Sequence, residues 1–388
     1  MLLNRKLWII ISSILVVGGI IGGATIAIYG KNAMGTSNFV AWGALIAAYV
    51  FFAISATGLS LVSSIGHVFK FKRFEVLGKR AVLLSICMLL IAFVMIGLEL
   101  GNPFKMYYLL LTPNLASGIF WMGMLYGIYL VLYSFEFFYM LKDNHKVATR
   151  FGIAVLITAI AASSNLGALF GYITARPYWT GAFTSVYIII TALLSGAAIL
   201  SILFFIISKV KKDEIFEYKG EHVVSSLGKL LAVFIGMMLF ISVWKNITSM
   251  YGSVPGNYEA VMAVLVGPLA AQYWIFEIII GMLIPLAILL LPKGFTPIRV
   301  FIAAIMTIIG VFVMRLTFVF AGQTAPLEIV KGMTVEPYRT FSITWAEWLL
   351  MSGGVGAVIL MYLIGEKLLN LRTVPHDSLE HHAEKQIS

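Results

Sequence analysis

This sequence is poor in charge, in cysteine and in well-placed histidine. Only 11% of its 388 residues are charged, against about a quarter in soluble domains, which excludes a soluble globular fold. A single cysteine, Cys87, falls inside an apolar run. It excludes a disulfide framework and an iron–sulfur cluster, each of which needs several cysteines. The six histidines are His67, His145, His222, His376, His381 and His382. All lie in, or at the edge of, polar connections or the C-terminal tail. No facing pair exists to ligate a transmembrane haem, and no zinc or copper site is expected. The chain should therefore hold no haem, no iron–sulfur cluster and no metal of its own.

What it has is apolar length. At 61% hydrophobic, it divides into ten runs near 7–29, 39–65, 81–100, 115–140, 150–172, 183–208, 224–247, 268–291, 297–321 and 344–371. Such runs suit the roughly 20 residues needed to cross a hydrocarbon core of about 30 Å. Backbone groups in lipid must pair within the segment, so each span is helical, with Pro285 read as a kink in the eighth. The expected fold class is all-α, a polytopic membrane helical bundle of ten transmembrane helices. The first run follows Asn4-Arg5-Lys6 and is read as an uncleaved anchor rather than a signal peptide.

Twenty of the 27 Lys and Arg fall in one alternating set of connections, among them Lys72, Arg73, Lys79, Lys142 and Lys211. Five, Lys31, Lys105, Arg176, Lys331 and Arg339, fall in the other. The excess marks the cytoplasmic side, and an even number of spans returns both termini to it. The same asymmetry accounts for the net charge of +10 without a nucleic-acid partner, since inner-leaflet lipid is what those loops meet. The expected location is the cytoplasmic membrane. The organisation reads as one membrane domain over 1–371, divisible into 7–140 and 150–291 plus helices 297–321 and 344–371, with a polar tail over 372–388. Long outer connections over 248–267 and 322–343 suggest a partner on that face. Small residues punctuate several spans, as in Gly18-Gly19-Ile20-Ile21-Gly22-Gly23, Ser195-Gly196-Ala197-Ala198 and Gly353-Gly354-Val355-Gly356. They are read as points of close helix approach in lipid.

Ionisable residues inside spans are costly and mark candidate sites. Glu99 stands at the outer end of the third span, beside Asn102. Asn114, Ser117 and Trp121 open the fourth, Trp42 and Tyr49 occupy the outer half of the second, and Arg176 lies in the loop after the fifth. A quinone headgroup needs hydrogen-bonding groups near the interface, an apolar slot for its tail and a carboxylate to take a proton. These residues supply that inventory, with Glu99 as the catalytic carboxylate. Glu277 and Arg315, the latter placed roughly 9 Å inside the ninth span, form either a proton path or a structural ion pair. Lys245 and Glu136 are expected to snorkel to opposite interfaces.

The segments Trp42-Gly43-Ala44-Leu45, Glu99-Leu100-Gly101-Asn102-Pro103, Asn114-Leu115-Ala116-Ser117 with Phe120-Trp121, and Ala175-Arg176-Pro177-Tyr178-Trp179 resemble the NrfD/PsrC family. These are integral membrane subunits of polysulfide-reductase-type respiratory complexes. Glu99 stands where Asp is common in the family. Arg315-Leu316-Thr317-Phe318 and Thr344-Trp345-Ala346-Glu347-Trp348 resemble its longer ten-helix branch, typified by DsrP and HybB, with a lean toward the DsrP-like type. The resemblance implies a menaquinone-reactive subunit of an anaerobic respiratory oxidoreductase complex, without a redox centre of its own. It also implies docking to an extracytoplasmic iron–sulfur protein, with cytochrome c and other membrane or cytoplasmic redox subunits as further partners. By matching position, Glu99 and the 114–121 stretch would carry the quinone site. A secondary transporter, using Glu277, Arg315 and Lys245, or a proton-conducting membrane subunit, using Glu136, Glu277 and Arg315, is the alternative that the intramembrane charges leave open.

Overall fold

The structure, a computed structural model, describes residues 5–100, 106–211, 216–218, 220–325, 338–339 and 341–372. It contains ten helices long and apolar enough to cross a membrane, as the hydropathy pattern requires. In chain order the helices are α1 (Arg5–Tyr29), α2 (Ala44–His67), α3 (Gly78–Glu99), a short α4 (Tyr108–Leu111), α5 (Gly118–Leu141), α6 (His145–Gly171) and α7 (Phe183–Val210). There follow α8 (Val223–Gly252), a short α9 (Asn257–Leu265), a π-helical stretch (Gln272–Leu283) running into α10 (Ile284–Leu290), α11 (Pro297–Thr324) and α12 (Trp345–Leu368). A two-stranded hairpin, β1 (Glu217–Tyr218) and β2 (Glu221–His222), turns at Gly220 before α8.

Several boundaries depart from the sequence reading. The second span begins at Ala44 rather than 39, which leaves Trp42 in the connection ahead of α2. The expected 248–267 loop is largely helical, its first turn belonging to α8 and its second half forming α9. α11 runs on to Thr324, so Arg315 lies nine residues from its end, roughly 14 Å deep rather than 9 Å. Pro285 lacks an N–H, and the chain just upstream of it widens into π geometry, which often accompanies functional positions in helices. Most of the 322–343 connection and the tail from 373 lie outside the described residues.

The centre of the bundle is α2, buried over nearly its whole length and packed on α3, α6, α7 and α11. Close approach is set by glycine. A Cβ on Gly196 would strike the backbone of Gly58, and one on Gly58 would strike the carbonyl of Ala192, so α2 and α7 cross backbone to backbone. Gly281 and Gly310 do the same for the π-helical stretch and α11. α1 lies along α12, the first span against the last. There a Cβ on Gly19 would stand 2.7 Å from the Cα of Gly353. All three small-residue stretches singled out in the sequence are thus packing surfaces, as small side chains are in lipid-embedded interfaces.

One end of the bundle is strongly basic and laced with ion pairs. Lys79 reaches Asp143 at 2.8 Å, Arg73 and Lys229 flank Glu221 at 2.9 and 3.0 Å, and Lys211 meets Glu366 at 3.1 Å. The opposite, far end carries the outer termini of α2, α3 and α12 and the candidate site.

Candidate functional site

The far end of α2 opens on Gly43, an extended N-cap residue whose N–H donates to Glu99 Oε1 at 2.9 Å. Glu99 is the last residue of α3, so its carboxylate satisfies one of the orphan amides that every helix start leaves. A second carboxylate arrives from α12. Thr344 and Glu347 form a capping box, in which Thr344 N donates to Glu347 Oε2 at 2.8 Å and Glu347 N donates to Thr344 Oγ1 at 3.3 Å. The same Oε2 accepts from Gly35 N at 3.1 Å. Glu347 is fully buried and Glu99 is 9% exposed.

Each carboxyl spends one oxygen on backbone. The remaining oxygens, Glu99 Oε2 and Glu347 Oε1, are buried without a hydrogen-bond partner among the described residues. Both face the α-carbon of Gly43: a Cβ there would stand 3.4 Å from the first and 3.1 Å from the second. Lys31, on the turn after α1, is within electrostatic reach of Glu99. The result is a packed niche where α2, α3, α12 and the 35–43 segment meet, with two acceptor oxygens directed at one point that the Thr36 methyl also crowds, 2.9 Å from the same Cβ position. Such groups can take a proton or bind a hydroxyl donor.

The 39–43 segment is held from behind. Gln323 brackets Trp42 with two reciprocal hydrogen bonds, accepting from its N–H at 2.9 Å and donating to its carbonyl at 3.0 Å. Arg176 donates to the carbonyls of Phe39 at 3.1 Å, Ala325 at 3.3 Å and Gln323 at 3.4 Å. Burial holds its guanidinium below the usual arginine range. The Trp42 ring stacks on Trp179 with centroids 5.1 Å apart and meets Phe170 edge-on. Trp179, almost fully buried, donates Nε1 to the carbonyl of Phe318 at 2.8 Å. Trp42 and Arg176 thus anchor the segment that carries Gly43.

Other expected site residues sit elsewhere. Tyr49, on the first turns of α2, packs edge-on to Tyr126 with centroids 6.2 Å apart. Asn114, Ser117 and Trp121 close their hydrogen bonds within residues 114–121. Asn114 Oδ1 accepts from Ala116 N, Ser117 caps α5 through Phe120 N, and the exposed Trp121 donates to the carbonyl of Leu115. Asn102 lies outside the described residues. The direct Glu277–Arg315 ion pair is not among the salt bridges of the described residues. Arg315, fully buried, donates Nη2 to Thr191 Oγ1 at 2.6 Å instead.

Two expectations of snorkelling are corrected. Lys245 turns inward, its ammonium 3.9 Å from the ring centre of Tyr178 and 5.2 Å from that of Tyr187, a cation–π arrangement. Glu136 is fully buried, with Oε1 2.6 Å from His67 Nε2. Two residues of the niche escape a reading of the sequence. Glu347 looks there like a helix-end charge and no more, although Thr344-x-x-Glu347 is a capping-box signal. Gln323 offers no signal, because its bracket to Trp42 spans 281 positions.

Fold and niche together define a polytopic helical membrane protein with a buried carboxyl site at one end and no metal-binding cluster among the described residues. The sequence matches the family described as polysulphide reductase, NrfD, over residues 32–327, and the chain belongs to that family of integral membrane proteins. Among its relatives, a selenate reductase subunit of Mesobacillus selenatarsenatis is 23% identical, with 94% of each chain covered. The Hdr-like menaquinol oxidoreductase integral membrane subunit of Archaeoglobus fulgidus is 26% identical, covering 90% of this chain and 89% of the relative.

Proposed function

We propose that this chain is the quinone-reactive membrane subunit of a respiratory oxidoreductase complex, passing electrons between menaquinol and an iron–sulfur partner docked at the far end. The observation that carries the reading is the pair of unpartnered carboxyl oxygens, Glu99 Oε2 and Glu347 Oε1, converging on Gly43. The basic connections orient the opposite end to the cytoplasm, so the niche faces outward. The menaquinol oxidoreductase relative supports the choice of carrier.

Oxidation of menaquinol to menaquinone releases two electrons and two protons. Glu99 takes the proton from the hydroxyl that approaches Gly43, and Glu347 serves as the second acceptor before release to the outer aqueous phase. Arg176, Gln323 and the Trp42–Trp179 stack keep the 39–43 segment in place. Tyr49, Asn114, Ser117 and Trp121 line the approach of the carrier rather than its reacting end. The electrons leave to the iron–sulfur partner.

The test is Glu99→Gln in the assembled complex, with menaquinol oxidation as readout. Loss of a positioned general base lowers turnover by about 10²–10⁴-fold. Unchanged turnover with the complex intact refutes the assignment of Glu99.

A further inference from the structure

We infer that the chain docks a peripheral protein at its basic end, through two phenylalanines displayed at the tip of the α2–α3 connection, and that the partner offers an apolar socket rimmed by Asp and Glu. Phe69 and Phe71 are 59% and 61% exposed. They alternate with cations in the run Phe69-Lys70-Phe71-Lys72-Arg73. This tip is remote from the Glu99 niche, which lies at the other end of α2 and α3.

Exposed aromatic rings are ordinary in a membrane protein where they face lipid. Position argues against lipid here. Every residue of α2 from Ala47 to Ser64 is buried. The helix is ringed by α3, α6, α7, α11 and α12, and α5 joins the ring through the His67–Glu136 contact. A helix enclosed on every side has no lipid neighbour, so the chain leaving its end emerges in the middle of the basic face. It also stays there. Val68 N and Phe69 N both donate to the carbonyl of Ser64 at 3.0 Å, and Phe71 N donates to that of Ile65 at 3.1 Å. The connection folds back over the helix end, and neighbouring helix axes about 8–10 Å away separate it from the bilayer.

The tip is rigid and charged. Lys70 has φ +59°, a left-handed conformation that glycine adopts at helix ends without cost. Lysine there keeps a cation between the two rings despite that cost. Beneath it, Phe74, Val76 and Leu77 are buried, and Arg73 is tied to Glu221 of the β1–β2 hairpin at 2.9 Å. Lys146 and Arg150 are exposed on the adjoining start of α6, whose Gly152 lies against Val68. The carboxylates Asp143 and Glu221 are already matched by Lys79, Arg73 and Lys229. An apolar tip inside a surplus of positive charge selects a partner of the opposite pattern. Aromatic side chains at the centre of such a surface carry much of the binding energy. The basic connections place this end in the cytoplasm, and the partner with it.

The experiment is hydroxyl-radical footprinting of the unaltered full chain, read by mass spectrometry on the peptide that holds Phe69 and Phe71. In nanodiscs, the isolated chain should be heavily oxidised at both rings. In membranes that hold the assembled complex, both should be protected. Washing with about 1 M salt, which shortens the screening length to about 3 Å, should strip the partner and restore oxidation. When the stripped protein is added back to the chain in nanodiscs, Phe69→Ser with Phe71→Ser should weaken its binding about tenfold or more at an unaltered unfolding midpoint. Protection already present in the isolated chain gives the tip to lipid or to the chain's own 373–388 tail, and overturns the proposal. So does equal oxidation in chain and complex, protection that salt does not relieve, or binding that the double variant leaves unchanged. Menaquinol takes no part, so the outcome is independent of the reading of the Glu99 niche.

Discussion

Glu347→Ala is the most informative single change in this bundle. The wild-type carboxylate is fully buried and its Oε2 accepts from the backbone amides of Gly35 and Thr344 and from the Thr344 hydroxyl. The hydroxyl has an alternative in the carbonyl of Ala33, 2.9 Å away. The two amides have none, so alanine leaves both unpaired at about 1–3 kcal/mol each, together about 2–6 kcal/mol. Glu347→Gln keeps an acceptor oxygen and exchanges a charged for a neutral bond, at a cost of about 1–2 kcal/mol. Thermal unfolding in detergent measures the difference, and Cys87 provides the probe. It is the chain's sole cysteine and is buried, so a thiol-reactive dye reports its exposure. Equal destabilisation by Ala and Gln would show that the backbone bonds to Oε2 are not what Glu347 contributes. In the assembled complex, Glu347→Gln should slow menaquinol oxidation while leaving the bundle folded.

Other outcomes follow from the same contacts. Gly58→Ala forces α2 and α7 apart and should destabilise by about 1–3 kcal/mol or more, seen as a lowered unfolding midpoint, whereas alanine at the open Gly127 should be tolerated. Glu136→Ala removes the buried carboxyl that meets His67 and should cost about 1–3 kcal/mol by the same measurement. Lys79 holds the Asp143 carboxyl below the usual carboxylate range. The contribution of this half-exposed pair, at most about 1 kcal/mol, is therefore complete above the unfolded carboxylate range and is lost as pH falls through the lower folded value. Comparing Asp143→Asn with wild type should show a midpoint difference at neutral pH that vanishes in strong acid.

The spans were legible because lipid imposes one rule, apolar length, that can be read without knowing any contact. That Glu99 would need a partner was legible for a related reason: a carboxylate at the end of such a run is costly unless paired, and it accepts from Gly43 N. What meets Glu99 was hidden. Glu347 stands 248 positions away, and an intramembrane helix is apolar on every side, so its sequence does not reveal which face turns inward. The same blindness made His67 and Glu136 look like two independent interface residues, when packing of α2 on α5 and α6 buries them together. Asn114, Ser117 and Trp121 follow Glu99 closely along the chain, yet each already makes a hydrogen bond within the turn that starts α5, which their spacing does not reveal. The Arg315 expectation failed on depth, because α11 extends three residues beyond the point where its hydropathy fades.

The pairing of α1 with α12 bears on how the protein is made. The glycine face of α1 enters the bilayer long before its mate has been translated, and until then only lipid or an insertion factor can cover it. The bundle is closed by α12, so a ribosome stalled before residue 345 releases a chain whose opening helix lacks the main partner that covers its glycine face. Such a product would be a natural substrate for membrane quality-control proteases, and the glycines at 19, 22 and 353 would set how long the newborn chain evades them.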